Sequence, residues 1–300
     1  MIKNSLIKLS VALLSTGFLA SCGSKPAEQQ SVVTDTASVS ESTEILNAVD
    51  ELLTKLPRPS EIPNLIAMTG AEYESKLINA PENAEKIMDN NTKACFTIGV
   101  LGADVGYMAA YDKGNEAVKT FVVGKKLADK VGVSAAFDQS IVGRVEKNLA
   151  NKDSLVNISD ASIKSSTGIL QSNEQLKEAA LVATGAFIEG LYINCGLIHD
   201  YPPTGLPQKE QDRILVPLVN NVIQQEKTLG SLIELLKKVN TSNDAELSAV
   251  VAKLEGAQAI YAKANWPQKM ADNKGNLIPT EKDIHDLAIA ITEIRQSLTQ

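Results

Sequence analysis

Two acid–tyrosine pairs are the features of this sequence that could do chemistry. Asp104 precedes Tyr107 by three positions, and Glu189 precedes Tyr192 by the same spacing. Residues three apart lie on one face of a helix, so each pair would present a carboxylate beside a phenol. A carboxylate among apolar residues is costly to bury unless it is paired or hydrogen-bonded. Each pair is therefore expected to face solvent, a buried polar network or a bound ligand.

The acid–tyrosine pairs have three alternative interpretations. The first, which we favour, is a polar contact that fixes the packing of two central helices and is completed by Arg144 or Asn194. The second is a small-molecule site, whose predicted ligand-binding residues are Asp104, Tyr107, Tyr111, Glu189, Tyr192 and Asn194. The third is a hydrolase of the cell envelope, which would need a separation between the two carboxylates that suits the reaction.

Small residues surround both acids. The stretches 94–111 and 179–198 resemble each other weakly, since each has a Gly-Ala step, a further glycine and the acid–tyrosine spacing. Gly99, Gly102 and Gly106 would let a second helix backbone approach closely. Their spacing is not that of a dinucleotide-binding loop, and no strand pattern precedes them. The glycines therefore predict tight helix packing and not a nucleotide site.

The sequence contains no motif that supports metal-dependent or nucleophilic catalysis. Histidine is limited to His199 and His285, and neither belongs to a motif with metal-ligand spacing. No nucleophile motif of the Gly-x-Ser-x-Gly type occurs. We therefore predict no catalytic residue, no metal site and no cofactor, and the sequence favours a protein that is not an enzyme.

Residues 1–21 have the order of a secretory signal sequence. Lys3 and Lys8 accompany an apolar stretch, and Leu19-Ala20-Ser21-Cys22 closes it. This tetrad resembles the lipobox of bacterial lipoproteins, and the resemblance implies cleavage before Cys22 and acylation of that residue. Acyl chains bury many methylene groups in a bilayer, so Cys22 would hold the protein on a membrane without a spanning helix.

Residues 22–41 lack aromatic side chains and are rich in Ser, Thr and Gln, which predicts a flexible tether. Gly23, and not an acid, follows Cys22, and by similarity to lipoprotein sorting this favours the outer membrane. Loss of Lys3 and Lys8 with the signal changes the formal net charge from −7 to −9. An acidic chain without clustered Lys and Arg is not expected to bind nucleic acid. The predicted partners are a membrane, through Cys22, and a protein of the envelope.

Two further cysteines, Cys95 and Cys195, lie in apolar stretches. In an oxidising envelope they could form a disulfide if the two stretches face each other. The alternative is a pair of buried thiols that pack as small apolar side chains. Spacing along the chain does not decide between the two, because pairing depends on geometry.

Hydrophobic periodicity predicts an all-α fold. From residue 43 onward apolar residues recur every three or four positions, and Pro- or Gly-containing breaks separate the repeats. We predict a bundle of roughly nine to ten helices without a sheet, in one helical domain at 42–300 with possible lobes at 43–200 and 206–300. Finer predictions are a first helix near 45–56, a capping box at 172–175, a kink at Pro217 and a helix cap at Asn243 and Glu246.

Three longer stretches carry a family resemblance. Together with the lipobox and the tether, GVLGADVGYMAAYDK at 99–113, SAAFDQSIVGRVEKNLANKDSL at 134–155 and AFIEGLYINCG at 186–196 resemble a group of uncharacterised helical lipoproteins of Bacteroidetes-type bacteria. The resemblance implies a helical fold and a place in the envelope, and it supplies no catalytic residue. The function expected from all of these features is a non-enzymatic envelope module that binds a protein or has a structural role.

Overall fold

Helices build all of the regular structure in the computed structural model. It describes residues 71–137, 143–145, 147–148, 151–173, 175–200, 207–272 and 281–299, together with isolated positions between 43 and 51. No strand occurs among these residues, so the predicted all-α, multi-helix bundle is confirmed. The predicted signal sequence, Cys22, the tether and most of the predicted first helix lie outside the described residues.

The described helices have the following bounds. In chain order they are α1 (Pro81–Lys86), α2 (Asn91–Ala110), α3 (Gly114–Val131), α4 (Lys152–Ser172), α5 (Leu176–Asp200), α6 (Gln208–Gln224), α7 (Glu226–Val239), α8 (Ala245–Ala264), α9 (Trp266–Asp272) and α10 (Glu281–Thr299). Short 3₁₀ turns cover Ser75–Leu77 and Ser134–Phe137. Helices α2 and α5 make the most extensive contact and form the centre of the bundle.

Local sequence signals set several helix ends. Pro81 opens α1 at its first position, where the missing N–H costs nothing. The Asn90 side chain caps α2 by accepting a hydrogen bond from the Lys93 N–H at 2.8 Å. The hairpin between α2 and α3 turns at Asp112, which has a φ of 59°. Gly132, with a φ of 85°, ends α3 in the left-handed conformation that glycine adopts without strain.

The two glycine-rich helices run parallel to each other. Near the start of the pair, the Asn91 amide donates to the Glu178 carboxylate at 3.3 Å. One to two turns later Phe96 faces Gly185, and further along Asp104 meets Glu189. The residue numbers of the partners rise together along both helices, as parallel packing requires. The weak similarity between stretches 94–111 and 179–198 thus belongs to two helices that lie side by side in the same direction.

Glycine makes the close approach of α2 and α5 sterically allowed. A Cβ atom on Gly185 would lie 1.9 Å from the Phe96 carbonyl oxygen, and one on Gly99 would lie 2.0 Å from the Val182 carbonyl oxygen. Both clashes are with backbone, which cannot rotate away. The two helix axes therefore stay close only because each helix carries a glycine at the crossing.

Helix α5 has the composition expected of a core element. Within the part of the chain that the structure describes, Leu176–His199 is the one helical stretch long and apolar enough to cross a membrane, and 83% of its apolar window is buried inside the bundle. Helix α10 packs on α5 and α2, so elements from both predicted lobes share contacts. All described residues belong to one compact unit, Ala37–Gln300.

Two local predictions differ from the structure. The Ser172 hydroxyl donates to the Ile169 carbonyl within α4 and does not cap α5, because α4 continues through Ser172. Helix α6 contains Pro217 in its interior, where the kink stays a prediction, and α7 begins after Gln225. Asp244, and not Asn243, caps α8, since its carboxylate accepts from the Glu246 and Leu247 N–H groups.

Two glycine substitutions should shift stability in opposite directions. Gly185→Ala forces a methyl group into the Phe96 carbonyl and should lower the free energy of unfolding by about 3 kcal/mol. Gly168→Ala is the control, because a Cβ there meets nothing within 4 Å, and it should stabilise the exposed helix position by about 0.5–1 kcal/mol. Urea denaturation of both variants measures the difference. Equal effects would contradict the close helix approach.

Candidate functional site

The two predicted acids meet in the centre of the bundle. Asp104 on α2 and Glu189 on α5 are both 0% exposed to solvent. The parallel packing of these helices brings the carboxyl of Asp104 into hydrogen-bond contact with that of Glu189. Two adjacent carboxylates without water would repel each other strongly, so a positive charge or a proton must accompany them.

Arg295 on α10 supplies the positive charge. Its Nε donates to Glu189 Oε2 at 2.6 Å, and its second guanidinium nitrogen donates to Glu189 Oε1 at 2.8 Å. This two-point contact is the strong geometry of an arginine–carboxylate pair. The same guanidinium donates to the Leu77 carbonyl at 3.2 Å and lies 4.1 Å from the centre of the Tyr192 ring. The buried arginine is therefore held on several sides.

The surroundings of Asp104 disfavour its charged form. Burial and the neighbouring Glu189 carboxylate raise the pKa of Asp104 well above its usual range, and Arg295 opposes this shift without cancelling it. Arg295 donates to both oxygens of Glu189, whereas Asp104 accepts from the Asn79 N–H. Asp104 Oδ1 has no hydrogen-bond donor among the described residues, and a proton shared with Glu189 would satisfy it. One proton shared between the two acids would give the cluster one neutral acid, one carboxylate and one guanidinium, whose charges cancel.

Residues 71–79, which precede α1 and form little regular structure, are the group that this cluster holds. The Asn79 N–H donates to Asp104 Oδ2 at 3.1 Å, and the Leu77 carbonyl accepts from Arg295. The Leu77 side chain fills the space that a Cβ on Gly196 would occupy, since such an atom would lie 2.2 Å from Leu77 Cδ2. We call residues 71–79 the docked segment.

Three tyrosines hold the first half of the docked segment. The Tyr111 hydroxyl donates to the Ala71 carbonyl at 2.9 Å, and the Glu74 N–H donates to the Tyr107 hydroxyl at 3.0 Å. The Tyr73 ring stacks on Tyr107 with the ring centres 5.4 Å apart. Stacked aromatic rings stabilise packing by more than the burial of their apolar surface alone. The tyrosine side of the predicted site therefore binds backbone of the same chain.

The predicted site residues separate into two groups. Five of them gather around the docked segment and the arginine: Asp104, Tyr107, Tyr111, Glu189 and Tyr192. Asn194 is fully buried but has no hydrogen-bond partner for either amide atom among the described residues, so it does not complete the acid pair. The prediction that Arg144 or Asn194 closes the network is wrong, because Arg295 closes it.

Sequence reasoning missed Arg295, although a signal was present. It lies four residues after Ile291 and three before Leu298, so it falls within the apolar stripe of α10. A charged residue on the buried face of an amphipathic helix requires a buried counter-ion. On this basis, Arg295 could have been identified from the sequence as the partner of the two buried acids, which need a cation.

Both internal cysteines are free thiols in the structure. Cys95 on α2 and Cys195 on α5 are buried and unpaired, so the disulfide alternative is not the arrangement found here. Burial raises the pKa of each thiol to about 12. Because the thiolate is the reactive form, neither residue is suited to nucleophilic chemistry in this state.

A small void among the described residues does not reach the two acids. A void of about 10 Å³ lies beside Gly102, where Ile98, Phe121 and Ser159 contribute to its wall, and neither Asp104 nor Glu189 reaches it. A volume of that size holds about one water molecule. Among the residues that the structure describes, no three His, Cys, Asp or Glu side chains come together in a way that could hold a metal ion.

Comparison of this chain with protein-family models, curated proteins and solved structures finds no match. No relative therefore indicates a role for the acid pair.

Replacement of Arg295 by an uncharged residue should strongly destabilise the fold. Arg295→Met fills a similar volume but leaves the Glu189 carboxylate without its partner, and we expect a loss of about 3–5 kcal/mol in the free energy of unfolding. Arg213→Met on the exposed side of α6 is the matched control and should change stability by about 0.5 kcal/mol or less. Urea denaturation at neutral pH measures both. A small loss for Arg295→Met would show that the pair is not critical.

Proposed function

We propose that this chain is an envelope lipoprotein held at a membrane by an acylated Cys22, most simply at the outer membrane. Its helical domain would be a non-enzymatic module that binds a partner protein or has a structural role. The lipobox, the polar tether at 22–41 and the resemblance to helical lipoproteins of Bacteroidetes-type bacteria support the anchoring part of the proposal.

One observation carries the non-enzymatic part. The strongest candidates for chemistry, Asp104 and Glu189, are fully buried and bonded to groups of the same chain. A general acid or base has to reach a substrate proton within hydrogen-bond distance, directly or through one water. Glu189 already accepts hydrogen bonds from Arg295, and Asp104 already accepts one from the Asn79 N–H. Both acids are therefore placed to stabilise the fold and not to exchange a proton with a substrate.

Membrane fractionation tests the anchor. Cys22→Ala should move the protein from the membrane fraction to the soluble fraction, because no acyl chain can be attached to the alanine side chain. Metabolic labelling with an alkynyl fatty acid should mark the unaltered protein and not the variant. Ser24→Ala, two residues further on, is the control and should remain bound and labelled. A Cys22→Ala protein that stays with the membrane would refute the anchoring step.

A small-ligand-binding protein is the second candidate, and Asn194 is the observation in its favour. Both amide atoms of this side chain are buried without a partner among the described residues, which is costly unless something satisfies them. A bound small molecule on α5 could do so, although a single trapped water would meet the same need.

Asn194→Leu distinguishes these roles. If the amide has no ligand, the apolar replacement should leave the free energy of unfolding unchanged or raise it by about 1 kcal/mol, because an unsatisfied polar group is removed. If the amide binds a metabolite, native mass spectrometry should find a small molecule on the unaltered protein and none on the variant. The absence of any bound mass, together with equal or higher stability of the variant, would eliminate the ligand-binding alternative.

A further inference from the structure

The docked segment is attached to the bundle by polar contacts that depend on one proton. Asp104 accepts a hydrogen bond from the Asn79 N–H. Arg295 donates to the Leu77 carbonyl and also to the Glu189 carboxylate, whose charge it neutralises. The site contains two acids and one guanidinium, so its charges balance only if one acid is neutral. Without that proton, two carboxylates would share a buried site with a single cation.

Among the described residues, Arg295 is the one cation that interacts with Asp104. The charged or titratable groups that interact with Asp104 are Glu189 from α5, Arg295 from α10 and Tyr73 from the docked segment. Helix α4 packs on the neighbouring turn of α2 through the Ser159 hydroxyl, which donates to the Gly102 carbonyl and carries no charge. Lys113 lies over the outer side of the Tyr73 ring, 5.0 Å from its centre.

We infer that a proton held between Asp104 and Glu189 latches the docked segment onto the bundle, and that loss of this proton releases the segment. The balance is simple. In the latched form the Asp104 carboxyl donates its proton in a hydrogen bond to the Glu189 carboxylate. On release, hydroxide or a buffer base takes the proton, water reaches the Asp104 carboxylate, and the Asn79 N–H exchanges Asp104 for solvent. This inference concerns the domain alone and does not depend on the membrane anchor.

The direction of the pH dependence follows from the raised pKa of Asp104. Opening the segment gives Asp104 the ordinary acidity of an exposed carboxyl, so the open form binds the proton more weakly than the latched form. The latch is therefore strongest below the ordinary carboxyl pKa and weakens as pH rises toward the raised value. Within that window the equilibrium constant for opening should rise about tenfold per pH unit, and it should level off above the window.

Hydrogen exchange at the backbone amides of the docked segment tests the latch. In the unaltered protein, the opening constant of the Glu74 and Asn79 amides, corrected for the intrinsic exchange rate, should rise about tenfold per pH unit from the ordinary carboxyl pKa up to the raised pKa of Asp104. Asp104→Asn keeps the shape and offers a permanent N–H donor to Glu189, so its opening constant should stay constant within about twofold. An unaltered protein with a flat profile, or an Asp104→Asn variant with the same slope, would overturn the proposal.

Two further variants separate proton coupling from simple loosening. Asp286→Asn makes the same chemical change on the exposed side of α10 and should reproduce the slope of the unaltered protein. Tyr107→Phe removes the hydroxyl that accepts the Glu74 N–H, so it should raise the opening constant at every pH without changing the slope. Loss of the slope in either variant would count against Asp104 as the group that titrates.

Infrared spectroscopy gives an independent readout at a single pH. A protonated buried carboxyl has a C=O stretch well separated from the carboxylate bands, and the unaltered protein should show this band at a pH just above the ordinary carboxyl pKa. The band should be missing in Asp104→Asn and present in Asp286→Asn. If the unaltered protein shows no such band at that pH, the shared proton is absent and the latch does not operate as proposed.

Discussion

The buried pair of Glu189 and Arg295 sets the arrangement of everything around it. A guanidinium and a carboxylate lose a large hydration free energy when they leave water, and they recover it only with close geometry and satisfied hydrogen bonds. Here the arginine reaches both carboxylate oxygens, a backbone carbonyl and an aromatic face. Three parts of the chain, α5, α10 and residues 71–79, must therefore occupy one relative position. Apolar packing alone would tolerate small shifts between them, whereas this contact does not.

The glycine-rich crossing and the ion pair depend on each other. Gly99 and Gly185 let α2 and α5 approach until their backbones touch, and that approach places Asp104 beside Glu189. The acid pair then requires a cation on one side and a proton on the other. A residue with a side chain at either glycine would separate the acids as well as the helices, so one steric condition and one electrostatic condition are met at the same place.

Much of the fold could be predicted from the sequence, because helices carry their own signals. Apolar spacing, Pro81 at a helix start and Gly132 at a helix end are local features, and the structure agrees with them. The membership of the polar cluster was also partly predictable, since five of the six suspected residues come together. The direction of α5 relative to α2 could not be read, because the same acid–tyrosine spacing is compatible with parallel and antiparallel neighbours. The identity of the cation required knowing which distant helix faces the acids.

Residue types alone could not show whether the cluster binds a ligand or stabilises the fold. Carboxylates and phenols on apolar helices are typical both of ligand sites and of internal polar contacts. In this chain they surround the irregular backbone of residues 71–79. The backbone N–H and C=O groups that they bind there are ones that a helix would otherwise have satisfied internally. Irregular backbone can lie inside a helical bundle only with such partners, and here side chains of α2 and α10 provide them.

The ion pair joins residues 106 positions apart, and this distance has a consequence for the order of assembly. During synthesis from the N-terminus, α2 and α5 are complete long before Arg295 is added to the chain. Until then the two acids have no counter-charge, so a tightly closed core around them would be unfavourable. Docking of α10 is therefore expected to close the core around the acids, and the long loop that this contact closes carries an entropic cost.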